Sequence, residues 1–245
     1  MTTLQHPEHI DHVVDAIQQR WGVKALRRME RVAAHTGGLP TGITALDRLL
    51  GADGLPRGAL TCLSGDLTSG KTTLALDALA RAQADGEVTV VIDMTGALDP
   101  EYAERRGIDL ARLLIVWPQP PALGLDIARD IVTSGGAGLI VLDLGGGEGS
   151  GPLDGVTRTL RHLSAAARRT PYALLGLVTT APGRLGAALL RRADGHLRVE
   201  RQRWLCDEGG VSGYEIRVTA LKARFGPPGQ CITLPLALGE RRPER

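Results

Sequence analysis

Eight consecutive residues, Gly65-Asp66-Leu67-Thr68-Ser69-Gly70-Lys71-Thr72, have the types and spacing to hold a chain of phosphates. Glycines at the first and sixth positions let backbone N–H groups turn inward on an anion. The lysine that follows places a cation against the outer phosphates, and the hydroxyl after it suits a magnesium ion. An apolar run, Ala59 to Ser64, leads in, and a helix-periodic stretch, Lys71 to Ala84, leads out. A helix starting at Lys71 adds the partial positive charge of its N-terminus to the same point. Residues Gly65 to Thr73 are therefore the predicted contacts to the phosphates of a nucleotide, with Lys71 bridging the β and γ groups. ATP with Mg²⁺ is the expected ligand.

Such a loop needs a carboxylate at the end of a nearby strand to complete the magnesium shell. Leu139-Ile140-Val141-Leu142-Asp143, four apolar residues closed by an aspartate, supplies one. Asp143 is thus the second predicted metal residue with Thr72, although an aspartate there could instead cap the turn that follows.

Positioning these groups falls to a strand–helix alternation. Short apolar strands are expected at 59–64, 88–93, 113–117, 139–143 and 173–179, with helices between them. Continuous apolar runs of this length suit a parallel sheet covered on both faces. The C-terminal part changes character: 196–204, 214–224 and 231–234 read as antiparallel strands joined by Gly-rich turns, DEGGVSG and FGPPG. The expected class is α/β, a phosphate-binding core with a mostly parallel central sheet and C-terminal antiparallel strands. A short helical arm over residues 1–36 precedes a core of 37–239, and 240–245 (RRPER with its preceding glutamate) form a disordered tail.

Composition narrows the classes. No apolar run approaches the ~18 residues of a membrane span, and the N-terminus lacks the regions of a secretory signal, so a cytoplasmic protein is expected. Cys62, Cys206 and Cys231 are far apart and form no CxxC pair, which indicates neither a disulfide framework nor a zinc site. His6, His9 and His12 recur at three-residue spacing without a supporting ligand set and read as a solvated helix start. Residues 1–150 hold 13 Lys+Arg against 19 Asp+Glu, and 151–245 hold 16 against 8. A basic second half is the footprint of a surface facing nucleic acid or an acidic partner, or simply of a solvated face. With few aromatic residues there, any binding of single-stranded DNA is expected to be weak, sequence-neutral and salt-dependent.

Taken with the phosphate loop, Gly54-Leu55-Pro56-Arg57-Gly58, Val91-Ile92-Asp93 and Ala97-Leu98-Asp99-Pro100-Glu101-Tyr102-Ala103 resemble bacterial RecA recombinases, closely from about Thr41 to Asp143 and traceably to about Pro235. The resemblance implies that Asp99 and Tyr102 frame the adenine base, the tyrosine by stacking; a plainer reading packs Tyr102 on the sheet. It also implies that Lys222 and Arg224 reach the nucleotide of a neighbouring protomer, or else form a charge pair on a strand edge. Ile17 to Gly22 is similar to the segment with which recombinase protomers dock on one another, implying self-association through the arm; a helix packed on its own domain is the alternative.

Two positions depart from the recombinase pattern. Thr95 stands where the resemblance places the glutamate that activates water, and a threonine hydroxyl has no accessible basic form near neutral pH. Thr180 stands where a glutamine senses the γ-phosphate. Asp93 and Asp99 lie nearby as substitutes for the missing base, yet neither occupies its position. Both DNA-contacting loops look reduced and the family's C-terminal domain looks absent. This combination resembles the ImuA family of damage-induced translesion-synthesis accessory proteins. It implies RecA and a Y-family-like polymerase subunit as partners, with hydrolysis weak or absent. The competing expectation is a compact DNA-dependent ATPase, a recombinase paralogue acting on single-stranded DNA.

Overall fold

A computed structural model describes residues 37–145, 153–224, 226 and 228–238; the N-terminal arm, the histidines at 6, 9 and 12 and the tail lie outside the described residues. The alternation forms ten strands and six helices among the described residues. A small ribbon pairs β1 (Gly38–Leu39) with β2 (Leu55–Pro56), antiparallel. The main sheet contains β3 (Ala59–Ser64), β4 (Thr89–Asp93), β5 (Leu113–Val116), β6 (Leu139–Asp143), β7 (Ala173–Val178), β8 (Gly195–Asp207), β9 (Gly210–Lys222) and β10 (Cys231–Ala237). Its order is β10-β9-β8-β3-β7-β6-β4-β5. The pairings from β8 through β5 are parallel, and β8, β9 and β10 run antiparallel to one another.

The helices are α1 (Thr44–Leu50), α2 (Lys71–Ala84), α3 (Pro100–Arg105), α4 (Gly124–Ser134), α5 (Leu153–Ala167) and α6 (Arg184–Arg192). Strands β3, β6 and β7 are buried almost end to end because helices cover both faces of the sheet. One apolar cluster lies under α2 and α1, with Leu74, Leu76, Val141, Leu175 and Ile216. The other lies under α4, α5 and α6, with Leu60, Ile92, Leu125, Ile140 and Leu189. The predicted strand at 59–64, helix at 71–84 and strand at 139–143 stand at their expected boundaries.

Two readings change. The β8–β9 hairpin is longer than its sequence indicates: its strands run on to Asp207 and from Gly210, leaving Glu208-Gly209 as a tight turn. Residues 206–212 are exposed, so no alternation of buried and exposed positions marks this extension as strand. The helix between the strands at 139–143 and 173–179 would, by spacing, align Arg158, Arg161, Arg168 and Arg169, but α5 ends at Ala167 and carries only the first two. Arg168 turns instead to Asp194 at 3.3 Å.

Candidate nucleotide site

The carboxyl ends of β3, β7, β6 and β4 lie side by side, and the chain segments leaving them build the site. From β3 the loop Gly65–Gly70 enters α2. Its start is fixed to β7, since Gly65 N–H donates to the Val178 carbonyl at 3.1 Å. A Cβ at Gly65 would run into Ser69 and the Val199 carbonyl, and Gly70 takes φ +95°. Only glycine meets both demands without strain. Helix α2 then begins at Lys71 with no side chain capping its N-terminus, leaving its first N–H groups turned to the loop.

Lys71 is 4% exposed, and its ammonium donates to the Asp66 carbonyl at 3.0 Å. Burial lowers its pKa, while the charges of Asp143 and Asp66 oppose that shift. The Ser69 hydroxyl is buried without a hydrogen-bond partner among the described residues. A buried lysine, an orphaned hydroxyl, a glycine cradle and an uncapped helix start together fit an anion of phosphate type. Asp66, Leu67 and Thr68 form the exposed crest of the loop, Leu67 at 83% exposure.

Asp143 closes β6 and pairs in register with Asp93 at the end of β4. Burial raises the Asp143 pKa; the Gly145 N–H at 3.1 Å and Lys71 pull it down, and Asp93 pushes it up. A carboxylate held in this way gains most from a cation, which suits the magnesium role with Thr72, half-buried in the first turn of α2. Its bond to Gly145 also realises the turn-capping alternative, and the two roles use different oxygen lone pairs.

Thr95 follows β4 and is committed to structure. Its N–H and hydroxyl both donate to Asp93 Oδ1, at 3.0 and 2.7 Å. Gly96 N–H adds a third bond to that oxygen at 2.8 Å, and Leu98 N–H reaches Oδ2 at 3.1 Å. Burial would raise the Asp93 pKa, but these bonds outweigh it and the net shift is downward. Asp93 is therefore a poor substitute base. Asp99 is likewise engaged, its carboxylate capping α3 by accepting from Tyr102 N–H at 3.1 Å. Thr180, just beyond β7, donates its hydroxyl to the Asp66 carboxylate in a short bond.

Tyr102 is partly buried, with its hydroxyl 2.8 Å from the Thr73 hydroxyl. It therefore stands beside the first turn of α2, packed as the plainer reading has it. Lys222 and Arg224 are tied within their own chain: Lys222 donates to the Ala193 carbonyl in a short bond, and Arg224 to Asp194 at 3.2 Å. Two residues that spacing did not single out complete the surroundings. Tyr214 of β9 brings its hydroxyl to 3.0 Å from Thr73. His196 of β8 meets the Ser64 hydroxyl at 2.7 Å. Each sits on a strand of the C-terminal hairpin, whose pairing with β3 a linear reading does not supply.

When bound, a magnesium nucleotide brings its own transferable phosphoryl group; the chain's part is to bind and orient it. Gly65–Thr73 and the α2 N-terminus would hold the phosphates, Thr72 and Asp143 would hold the cation, and Tyr102 is the residue that the recombinase resemblance assigns to the base.

Comparison with known proteins identifies the family. Residues 8–146 match the RecA N-terminal domain. Protein RecA of Aquifex aeolicus is 34% identical over 254 residues, covering 91% of this chain and 72% of that protein. Protein RecA of Aquifex pyrophilus is 33% identical, covering 94% and 74%. The crystal structure of the RadB recombinase superposes with a TM-score of 0.64 at 24% identity, over 82% of this chain and 96% of that one, a likeness of fold. With the phosphate loop, the strand-end aspartate and the sheet order in place, the chain belongs to the RecA family through its N-terminal domain.

Proposed function

We propose that this chain is an ATP-binding, RecA-like accessory protein of DNA repair and damage tolerance that holds Mg²⁺-ATP and hydrolyses it slowly or not at all. The observation that carries this reading is the commitment of Thr95, which stands where the resemblance places the water-activating glutamate: its hydroxyl and N–H both serve Asp93. Without that base a rate loss of about 10²–10⁴-fold is expected. The Thr180–Asp66 bond supports the same view, since the residue after β7 is engaged with the loop crest. Only five residues, Thr179 to Gly183, join β7 to α6, which supports a reduced DNA-contacting loop.

Translesion synthesis is the setting proposed, with RecA and a Y-family-like polymerase subunit as partners and the N-terminal arm as the docking segment. Saturable, Mg²⁺-dependent binding of ATP with negligible steady-state turnover, both with and without single-stranded DNA, is the expected result. Lys71→Ala should weaken binding by roughly 10–100-fold through loss of a charged hydrogen bond. Robust DNA-stimulated turnover that Lys71→Ala abolishes would overturn this reading in favour of a recombinase paralogue. Failure to co-purify with either partner from damaged cells would remove the translesion setting.

A further inference from the structure

Three hydroxyls meet at one point between elements that are far apart in sequence. Thr73, in the first turn of α2, has Tyr102 Oη of α3 at 2.8 Å and Tyr214 Oη of β9 at 3.0 Å. Thr73 and Tyr214 are buried, Thr73 at 4% and Tyr214 at 7% exposure. The Tyr214 ring also lies against the loop glycine: a Cβ on Gly70 would sit 3.1 Å from its Cε2, beside Leu236 and Ile216. It also meets Trp204 edge to face, ring centres 5.8 Å apart. Trp204 is half exposed on the hairpin, with the Arg201 guanidinium 4.4 Å over its ring.

A tyrosine used only to fill the core would need a partner for its hydroxyl. Here that partner is the residue next to Thr72, and it shares its hydroxyl with the ring expected to face the base. One threonine oxygen can donate to one phenol and accept from the other. Both phenols are therefore held by the same atom.

We propose that Tyr214 is a positioning residue for the nucleotide base. Through Thr73 it fixes the Tyr102 ring, and through its own ring it carries base occupancy outward to Trp204. The inference rests on the nucleotide reading above and adds to it a residue and a direction of coupling. A ring held ready for stacking avoids the cost of immobilising it on binding, so removal of the hydroxyl should weaken ATP about three- to tenfold. Magnesium tripolyphosphate, which has no base, should be unaffected.

The test uses the full chain with Trp21 and Trp117 changed to phenylalanine, so that Trp204 is the only indole. MgATP and magnesium tripolyphosphate are titrated by calorimetry and by Trp204 emission, in this background and with Tyr214→Phe added. The expected result is an ATP-specific loss of affinity in Tyr214→Phe and loss of the ATP-induced emission change, with tripolyphosphate affinity retained. Tyr102→Phe keeps the stacking face, breaks the other end of the same relay on a partly exposed residue, and should give the same pattern if Tyr214→Phe does not fold. Unaltered ATP affinity and emission response in either folded variant overturns the coupling while leaving the nucleotide reading intact. Absence of saturable MgATP binding in the parent chain overturns that reading and this inference with it.

Discussion

Asp93 and Asp143 end neighbouring parallel strands in register, yet their carboxylates are pushed in opposite directions. Asp93 accepts four hydrogen bonds from the turn that follows it, and its pKa falls despite burial. Asp143 accepts one from Gly145, and burial keeps its pKa raised. The first is a structural anion that folds its own turn. The second is the carboxylate proposed to meet a cation.

This difference predicts a crossover in metal dependence. Asp143→Asn should weaken ATP about tenfold or more in the presence of Mg²⁺, through loss of a charged contact. In EDTA the same change should leave ATP binding equal or slightly tighter, because a negative charge has been removed from beside the phosphates. Calorimetric titration with and without Mg²⁺ checks both arms, and equal weakening in both would count against a metal role.

At Thr95 the structural role predicts an effect on stability rather than on the ligand. Thr95→Ala removes the 2.7 Å hydroxyl bond to Asp93 and keeps the backbone donor. A cost of roughly 1–2 kcal/mol in urea unfolding is expected, with ATP affinity altered by less than about twofold. A large loss of affinity at unchanged stability would return Thr95 to the binding machinery.

The ion pair of Asp77 with Arg106 lies in the core, each side chain 3% exposed, with contacts of 2.6 to 2.9 Å. Arg106 also donates to the Ala237 carbonyl at 3.2 Å, so it ties α2 to β10. Arg106→Met alone should cost about 3–5 kcal/mol, because it strands a buried carboxylate. Combining it with Asp77→Leu should recover much of that loss, as apolar pairs of similar volume often replace such bridges. Urea denaturation of the two single variants and the double variant decides the point.

His196 carries a pH signature. Burial first, then the charges of Arg198 and Lys222, lower its pKa from the ordinary value of 6.5. The folded state thus disfavours the proton that the unfolded chain accepts. Its contribution to stability is full above pH 6.5 and is lost as the pH falls from there through the depressed folded value. Unfolding midpoints across pH 5 to 7.5 should rise with pH, and His196→Gln should flatten that slope. A slope unchanged in the variant would place its origin elsewhere.

The sequence alone determined the local pieces. The apolar runs at 59–64 and 139–143, the Gly65–Thr72 pattern and Asp143 at a strand end are legible because each depends on neighbours in the chain: periodicity, glycine torsions, a strand that stops at a charge. The departures at Thr95 and Thr180 were legible only through the resemblance to recombinases. Tertiary structure decided what those residues touch. That Thr95 serves Asp93, that Thr180 bonds Asp66 and that Lys222 and Arg224 turn back to Ala193 and Asp194 follow from loops meeting across the sheet. Tyr214 lies 141 residues from Thr73 and shares its hydroxyl only because β9 follows β8 onto the flank of β3. Strand order is set by which faces can be buried together, a property of the whole chain that no window of residues contains.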